Sequence, residues 1–175
     1  MKYISLDIET TGLDPEFNQI LSIGAVIEDT LNPIPFKDLP KFHAVIKRES
    51  VYGSIFALNL NRELIQAMKD YSEAKTDELK QEVEESFGAK FYNEDEVVEA
   101  LFQFCYRNGL VDLDPDFLTK THKVVNGTRY PILTSNMPKT YLNCAGKNFA
   151  GFDKKFLEKL PRWKQVFSIR SRVLD

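Results

Sequence analysis

The sequence predicts an α/β fold: an antiparallel three-strand meander, completed by parallel strands farther along and flanked by helices. Three observations predict it. Short β-prone segments follow one another near the N-terminus with only turn-rich sequence between them. Helical periodicity then takes over through the middle of the chain. A strand–turn–helix pattern comes late, between residues 141 and 160, as expected of a crossover connection.

Residues 2–8 (KYISLDI) are β-prone, and a TTGLDP turn cluster follows them. Residues 18–27 (NQILSIGAVI) read as a second strand and 41–47 (KFHAVIK) as a third. Between those two, 29–40 carries three prolines and is expected to be a connecting loop. Helical pattern begins near 59–69, with Leu60, Leu64, Ile65 and Met68 on one face. The charged stretch through Glu85 either extends that helix or forms its own. A stronger amphipathic helix covers 94–107, where Val97, Val98, Leu101, Phe102, Phe104 and Cys105 form an apolar stripe and Gly109 supplies the stop. Residues 112–138 resist assignment; an inserted hairpin over the site fits their Asn126–Gly127 turn and short β-like pieces. Residues 141–145 read as a strand, 146–151 as a turn, 152–160 as a helix ended by Pro161, and 166–174 as one more strand.

At 175 residues the chain suits one domain, and two would be cramped. A hydrophobic fraction of 43% is ordinary for a globular protein and sets aside disorder and coiled coil. No apolar run is long enough to span a bilayer, and acids interrupt the N-terminal apolar run too early for a signal peptide. A cytoplasmic protein without membrane contact is therefore expected. Cys105 and Cys144 sit in apolar surroundings and are expected to be reduced core residues. The net charge of −3 argues against general duplex binding through a basic surface. Charge is unevenly spread, however: acids dominate 70–99, whereas Lys154, Lys155, Lys159, Arg162, Lys164, Arg170 and Arg172 dominate 154–172. Each block has a solvated helix face as its plain explanation, and the basic block has phosphate contact as an equal alternative.

Chemistry concentrates in two places. The first is Asp7–Ile8–Glu9–Thr10–Thr11–Gly12. Two acids separated by one residue on a strand leave the same face of the sheet. Crowding like charges there is costly unless a cation lies between them, and hard oxygen ligands suit Mg²⁺ or Mn²⁺. Gly12 lets a ligand approach the backbone closely. An exposed, alternating β-edge is the structural alternative, made poorer by the apolar YISL that leads in. The second place is 146–153 (GKNFAGFD), which sets Asp153 at a helix start after a strand. Taken alone, an acid favoured by the helix dipole explains Asp153 better.

Taken together, the D-x-E strand and the downstream N-x-x-x-x-D strand–turn–helix resemble the first two motifs of the DEDD (DnaQ-like) 3′–5′ exonuclease superfamily. Flanking segments GLDPEFNQILSIGAVI, FDKKFLEKLP and VFSIRSRVLD resemble its oligoribonuclease-like branch, so the resemblance covers most of the chain and is weakest over 112–138. It implies a ribonuclease H-like mixed sheet in a single domain over 1–175, and a two-metal phosphodiesterase. Asp7, Glu9 and Asp153 would bind two divalent cations, Mg²⁺ or Mn²⁺, spaced roughly 3.5–4 Å apart. Thr10, Gly12 and Leu13 match positions lining the site for the 3′-terminal nucleotide, with Asn148, Phe149 and Phe152 as weaker matches. Phe152 is better explained as a core aromatic. Single-stranded nucleic acid or short oligonucleotides are the implied partners, and a homodimer is expected by analogy alone.

The family pattern also needs a fourth carboxylate, preceded closely by a His or Tyr as general base. After Asp153 the only acids are Glu158 and Asp175, and no His or Tyr follows. His43 and His122 precede the second motif; His43 is most simply a sheet residue, and His122 a surface one. Asp175 is expected to end a strand. Three accounts fit: a chain shorter than its gene product and lacking C-terminal helices, a degenerate exonuclease, or a partner that completes the site. The stop after a strand favours the first. A binding or scaffolding module is the alternative from another class, and a different two-metal nuclease or phosphohydrolase is a third. Neither Cys has a partnered His, which excludes a cysteine nucleophile.

Overall fold

A computed structural model describes residues 1–113, 122–125, 128–134 and 137–170. Its sheet is built outward from β1 (Lys2–Thr10), where strict alternation buries Ile4, Leu6 and Ile8 on one side. β2 (Ile20–Asp29) pairs antiparallel along the full length of β1, from Lys2↔Asp29 to Thr10↔Ile20, with an irregularity after Glu9. β3 (Lys41–Ile46) returns antiparallel to β2, so the expected meander is present. β4 (Lys90–Tyr92) adds in parallel to β3, a strand too short to announce itself in sequence. On the other side of β1, the stretch holding β7 (Thr140–Leu142) and β8 (Cys144–Ala145) runs parallel to it through β8, while β7 pairs in parallel with β9 (Phe167–Ile169). An antiparallel meander followed by parallel strands is the ribonuclease H-like arrangement expected from the sequence.

Helices cover both faces. On one, α4 (Val97–Arg107) buries its whole predicted stripe against Ile4, Leu6 and Ile8, joined by α5 (Asp153–Leu157) and α6 (Trp163–Val166). On the other, α2 (Arg62–Glu73) packs Leu64, Ala67 and Met68 against Leu21, Val45 and Phe91. The charged stretch forms its own helix, α3 (Asp77–Phe87), capped by the Thr76 hydroxyl, which accepts from Leu79 N–H, and stopped at Gly88 with φ +72°. One predicted stripe residue departs: Leu60 is exposed, because it ends a separate helix, α1 (Ile55–Leu60), before Asn61 separates it from α2. Phe36–Asp38 adds a 3₁₀ turn within the proline-rich loop. Cys105 and Cys144 are buried and free, as expected; burial raises both thiols, Cys144 to about 12.

A hairpin of β5 (His122–Val125) and β6 (Thr128–Pro131) lies within 112–138, with Asn126–Gly127 outside the described residues. His122 departs from a surface role, being half-buried with its Nδ1 unpartnered among the described residues. His43 is the sheet residue expected, its Nδ1 3.3 Å from Gly88 O and its ring beside Phe87. The last strand spans only Phe167–Ile169 of the predicted 166–174, and 171–175, including Asp175, lie outside the described residues.

Candidate functional site

The alternation that buries Ile8 turns Asp7 and Glu9 to the opposite face, Asp7 exposed and Glu9 half-buried. Their cross-strand partners on β2 are Gly24 and Ser22. Directly opposed residues share a face, so only small side chains neighbour the two carboxylates on that side.

Asp153 reaches the same strand by a different route. Ile4 N–H on β1 donates to Asn143 O (2.9 Å), and β8 pairs only with Ile4 and Ser5. Farther along that edge, Ile8 N–H has no strand to meet, because the chain turns away after Ala145. The Asp153 carboxylate takes over, its Oδ1 accepting from Ile8 N–H at 3.2 Å. Only 4% of Asp153 is exposed. The turn before it is fixed from below: a Cβ on Gly146 would lie 2.8 Å from Leu6 O, so the backbone approaches β1 as closely as glycine permits. Asn148 adopts a left-handed φ of +55°, and its carbonyl accepts from Gly151 and Phe152 N–H. Phe149, Phe156 and Leu157 anchor the segment in the core.

Two of the three acids are shifted by their neighbours. Glu9 is held above the ordinary carboxylate range, first by burial, then by Asp7, then by Asp153. Asp153 is raised first by burial and further by Asp7, against the lowering effect of its own backbone N–H and that of Ile8. Yet no three His, Cys, Asp or Glu side chains among the described residues form a group placed to hold a metal ion. The donor set still fits a hard divalent cation: all donors are oxygen, and mutual repulsion is what such a cation relieves. Water or phosphate oxygens would complete its shell, as Mg²⁺ commonly requires.

The other predicted residues divide. Leu13 is 84% exposed just beyond β1, open to a ligand. Thr10 is buried, and its Oγ1 donates to Gly12 O (2.7 Å), a role inside the turn. A Cβ at Gly12 would meet the Asn18 side chain at 2.4 Å, so that side chain, whose Oδ1 accepts from Asp14 N–H, would have to move. Asn148 is exposed, Phe149 is core, and Phe152 packs on Phe156, as its core explanation required.

Sequence reasoning missed the segment that walls this end of the sheet. Asn61 Nδ2 donates to Thr10 O (3.1 Å), and Ser54 N–H donates to Thr11 O (2.9 Å). These bonds tie α1 to the end of β1. Phe56 on α1 is 79% exposed, and Tyr52 and Ile55 are exposed beside it. The signal was Ser54, whose hydroxyl caps α1 by accepting from Ala57 N–H.

No protein-family model matches the sequence, and no curated relative matches it. Solved structures do. Exonuclease I from Methylocaldum szegediense aligns at 15% identity and a TM-score of 0.43, over 89% of this chain and 22% of that one. E. coli exonuclease I in complex with a dT13 oligonucleotide aligns at 15% identity and 0.42, over 89% and 22%. The metal-free form of an E. coli exonuclease I–ssDNA complex aligns at 14% identity and 0.45, over 97% and 27%. The chain thus spans only about a quarter of the length of these structures. None of the three is an oligoribonuclease. At these scores the likeness carries no argument about substrate or mechanism.

Proposed function

We propose that the chain is a metal-dependent 3′–5′ exonuclease domain acting on single-stranded or short RNA or DNA. The observation that carries this is the approach of Asp153 to the end of β1 that holds Asp7 and Glu9, from a segment about 145 residues away, close enough that Asp7 and Asp153 raise Glu9 and Asp7 raises Asp153. In that role Asp7 and Glu9 hold the divalent ions from the open face of the strand. Asp153 commits one oxygen to Ile8 N–H and so fixes its carboxylate relative to the other two. Bound Mg²⁺ or Mn²⁺, two by the family resemblance, would supply Lewis acidity and an activated water. Leu13, Tyr52 and Phe56 give the terminal bases an apolar and aromatic surface at the same end of the sheet.

A second reading is a binding module of the same fold without turnover. It is favoured by the lack of a preformed metal group among the described residues.

Incubating 5′-labelled single-stranded RNA and DNA oligomers with Mn²⁺ or with EDTA separates the two. The exonuclease reading expects a metal-dependent ladder that shortens from the 3′ end and disappears in Asp153→Asn. Binding without shortening supports the module; neither binding nor shortening removes both.

A further inference from the structure

A cavity of mixed polar and apolar lining lies on the same face of the sheet as Asp7 and Glu9. Lys47 and Arg48, just beyond β3, line it together with Tyr71 near the end of α2, Lys80 of α3 and Phe91 of β4. Its volume is about 280 Å³, just below the range of roughly 300–1,000 Å³ for sites that enclose whole small molecules. A single phosphate group suits it better than a nucleoside. One wall is rigid: the Tyr71 and Phe91 rings stack at 4.3 Å and 2°.

The cations of this cavity are unequally engaged. Arg48 is committed, its guanidinium pairing with Glu94 at 2.9 Å and donating to Ile20 O at 3.1 Å. Lys80 lies 3.9 Å from a fully exposed Asp77, a weak pair, and 5.9 Å from the Tyr71 ring centroid. Glu84, the next acid, is held by Lys90. Lys47 is half-buried and makes no ion pair with any described residue. A lysine without a counter-ion among the described residues, beside a second lysine and a phenol, is matched by an anion that accepts charge-assisted hydrogen bonds.

Register places this cavity with respect to the carboxylates. Glu9 is opposite Ser22, and Ser22 is opposite Val45, so the three lie in one row across the sheet. Two strand spacings separate Glu9 from Val45, about 10 Å, and Lys47 follows Val45 by two residues. We infer that this cavity is a phosphate site that grips the backbone of a single strand whose 3′ end lies at Asp7, Glu9 and Asp153. This rests on the exonuclease reading for its choice of ligand, whereas the anion chemistry of the cavity stands without it.

The test compares the intact chain with Lys47→Gln and with Lys80→Gln, each checked for an unchanged melting temperature. Binding of oligothymidylates of about 4 and about 12 nucleotides is measured across a salt series with EDTA present, and inorganic phosphate is titrated separately by thermal shift. The inference expects either substitution to weaken the longer strand roughly fivefold to tenfold and to spare the shorter one. The slope of log affinity against log salt should fall by about 0.7. Loss of a phosphate-induced thermal shift with unchanged strand binding would replace the strand with free phosphate as the ligand, overturning the inference as stated. Wild-type behaviour in every arm overturns the site altogether. Failure of the unaltered chain to bind any strand would instead refute the exonuclease reading, and the phosphate arm still decides the cavity.

Discussion

Asp153 carries two demands at once, and they separate by substitution. Its carboxylate satisfies a buried backbone N–H that no strand reaches, so Asp153→Ala removes an acceptor as well as a charge. Leaving Ile8 N–H unpaired is expected to lower stability by about 1–3 kcal/mol. Asp153→Asn keeps an oxygen acceptor and should be far milder, which makes it the variant to use in functional tests. The pH dependence provides a second check. Glu9 and Asp153 both have carboxyl groups raised above their ordinary range in the fold. Their favourable contribution is therefore fully present below the unfolded pKa, and it is lost as pH rises through the folded values. In the presence of chelator, the stability of the unaltered chain relative to Asp153→Asn should fall as pH rises above the ordinary carboxylate pKa of about 4. Asp29, lowered to about 2, has the opposite sign but is common to both proteins and cancels in the comparison. Parallel urea-denaturation profiles above that pH would show that burial of Asp153 costs nothing. The place of Asp153 at a helix start was legible in sequence, but the Ile8 bond was not, since it depends on where β8 stops.

At the scale of elements, legibility followed periodicity and length. The α4 stripe and the three meander strands are long enough for their pattern to be read, and each buried residue of that stripe lies where its spacing puts it. β4 has three residues and exists through parallel pairing with a strand more than forty positions away, which no local pattern encodes. α6 was hidden because Pro161 reads as a stop; the helix before it already ends at Leu157, not at 160 as its pattern suggested, and Arg162 at φ +67° starts another after the proline. α1 was hidden by the exposure of its apolar residues, which removes the usual amphipathic contrast. Gly53 makes its docking possible: a Cβ there would come within 2.1 Å of Thr11 O, a backbone atom that cannot simply rotate away. Gly53→Ala should cost about 1–3 kcal/mol by overpacking and loosen the wall beside Glu9. Urea denaturation reads the first effect, and hydrogen exchange at Ser54 N–H the second; unchanged values in both would mean that α1 docks by other contacts.

Over the whole molecule, charge is arranged more economically than the sequence suggests. The basic block from Lys154 onward looks like a phosphate track, yet Lys154 and Lys164 both face Glu158 and Lys159 pairs with Glu16. Arg162 is turned inward to Leu133 O. Exposed pairs of this kind contribute little to stability, but they leave the segment with less free positive charge than its composition implies. The carboxylates, by contrast, converge on one end of β1: Asp7 and Glu9 on the face where β2 presents Gly24 and Ser22, and Asp153 at the strand edge on Ile8 N–H. The most direct test is Mn²⁺ titration of the unaltered chain, Asp7→Asn and Asp153→Asn, followed by calorimetry or electron paramagnetic resonance. Saturable binding by the unaltered chain is expected, weakened at least about tenfold, or 1.4 kcal/mol, in each variant while both remain folded. Equal Mn²⁺ affinity in all three proteins would contradict this expectation.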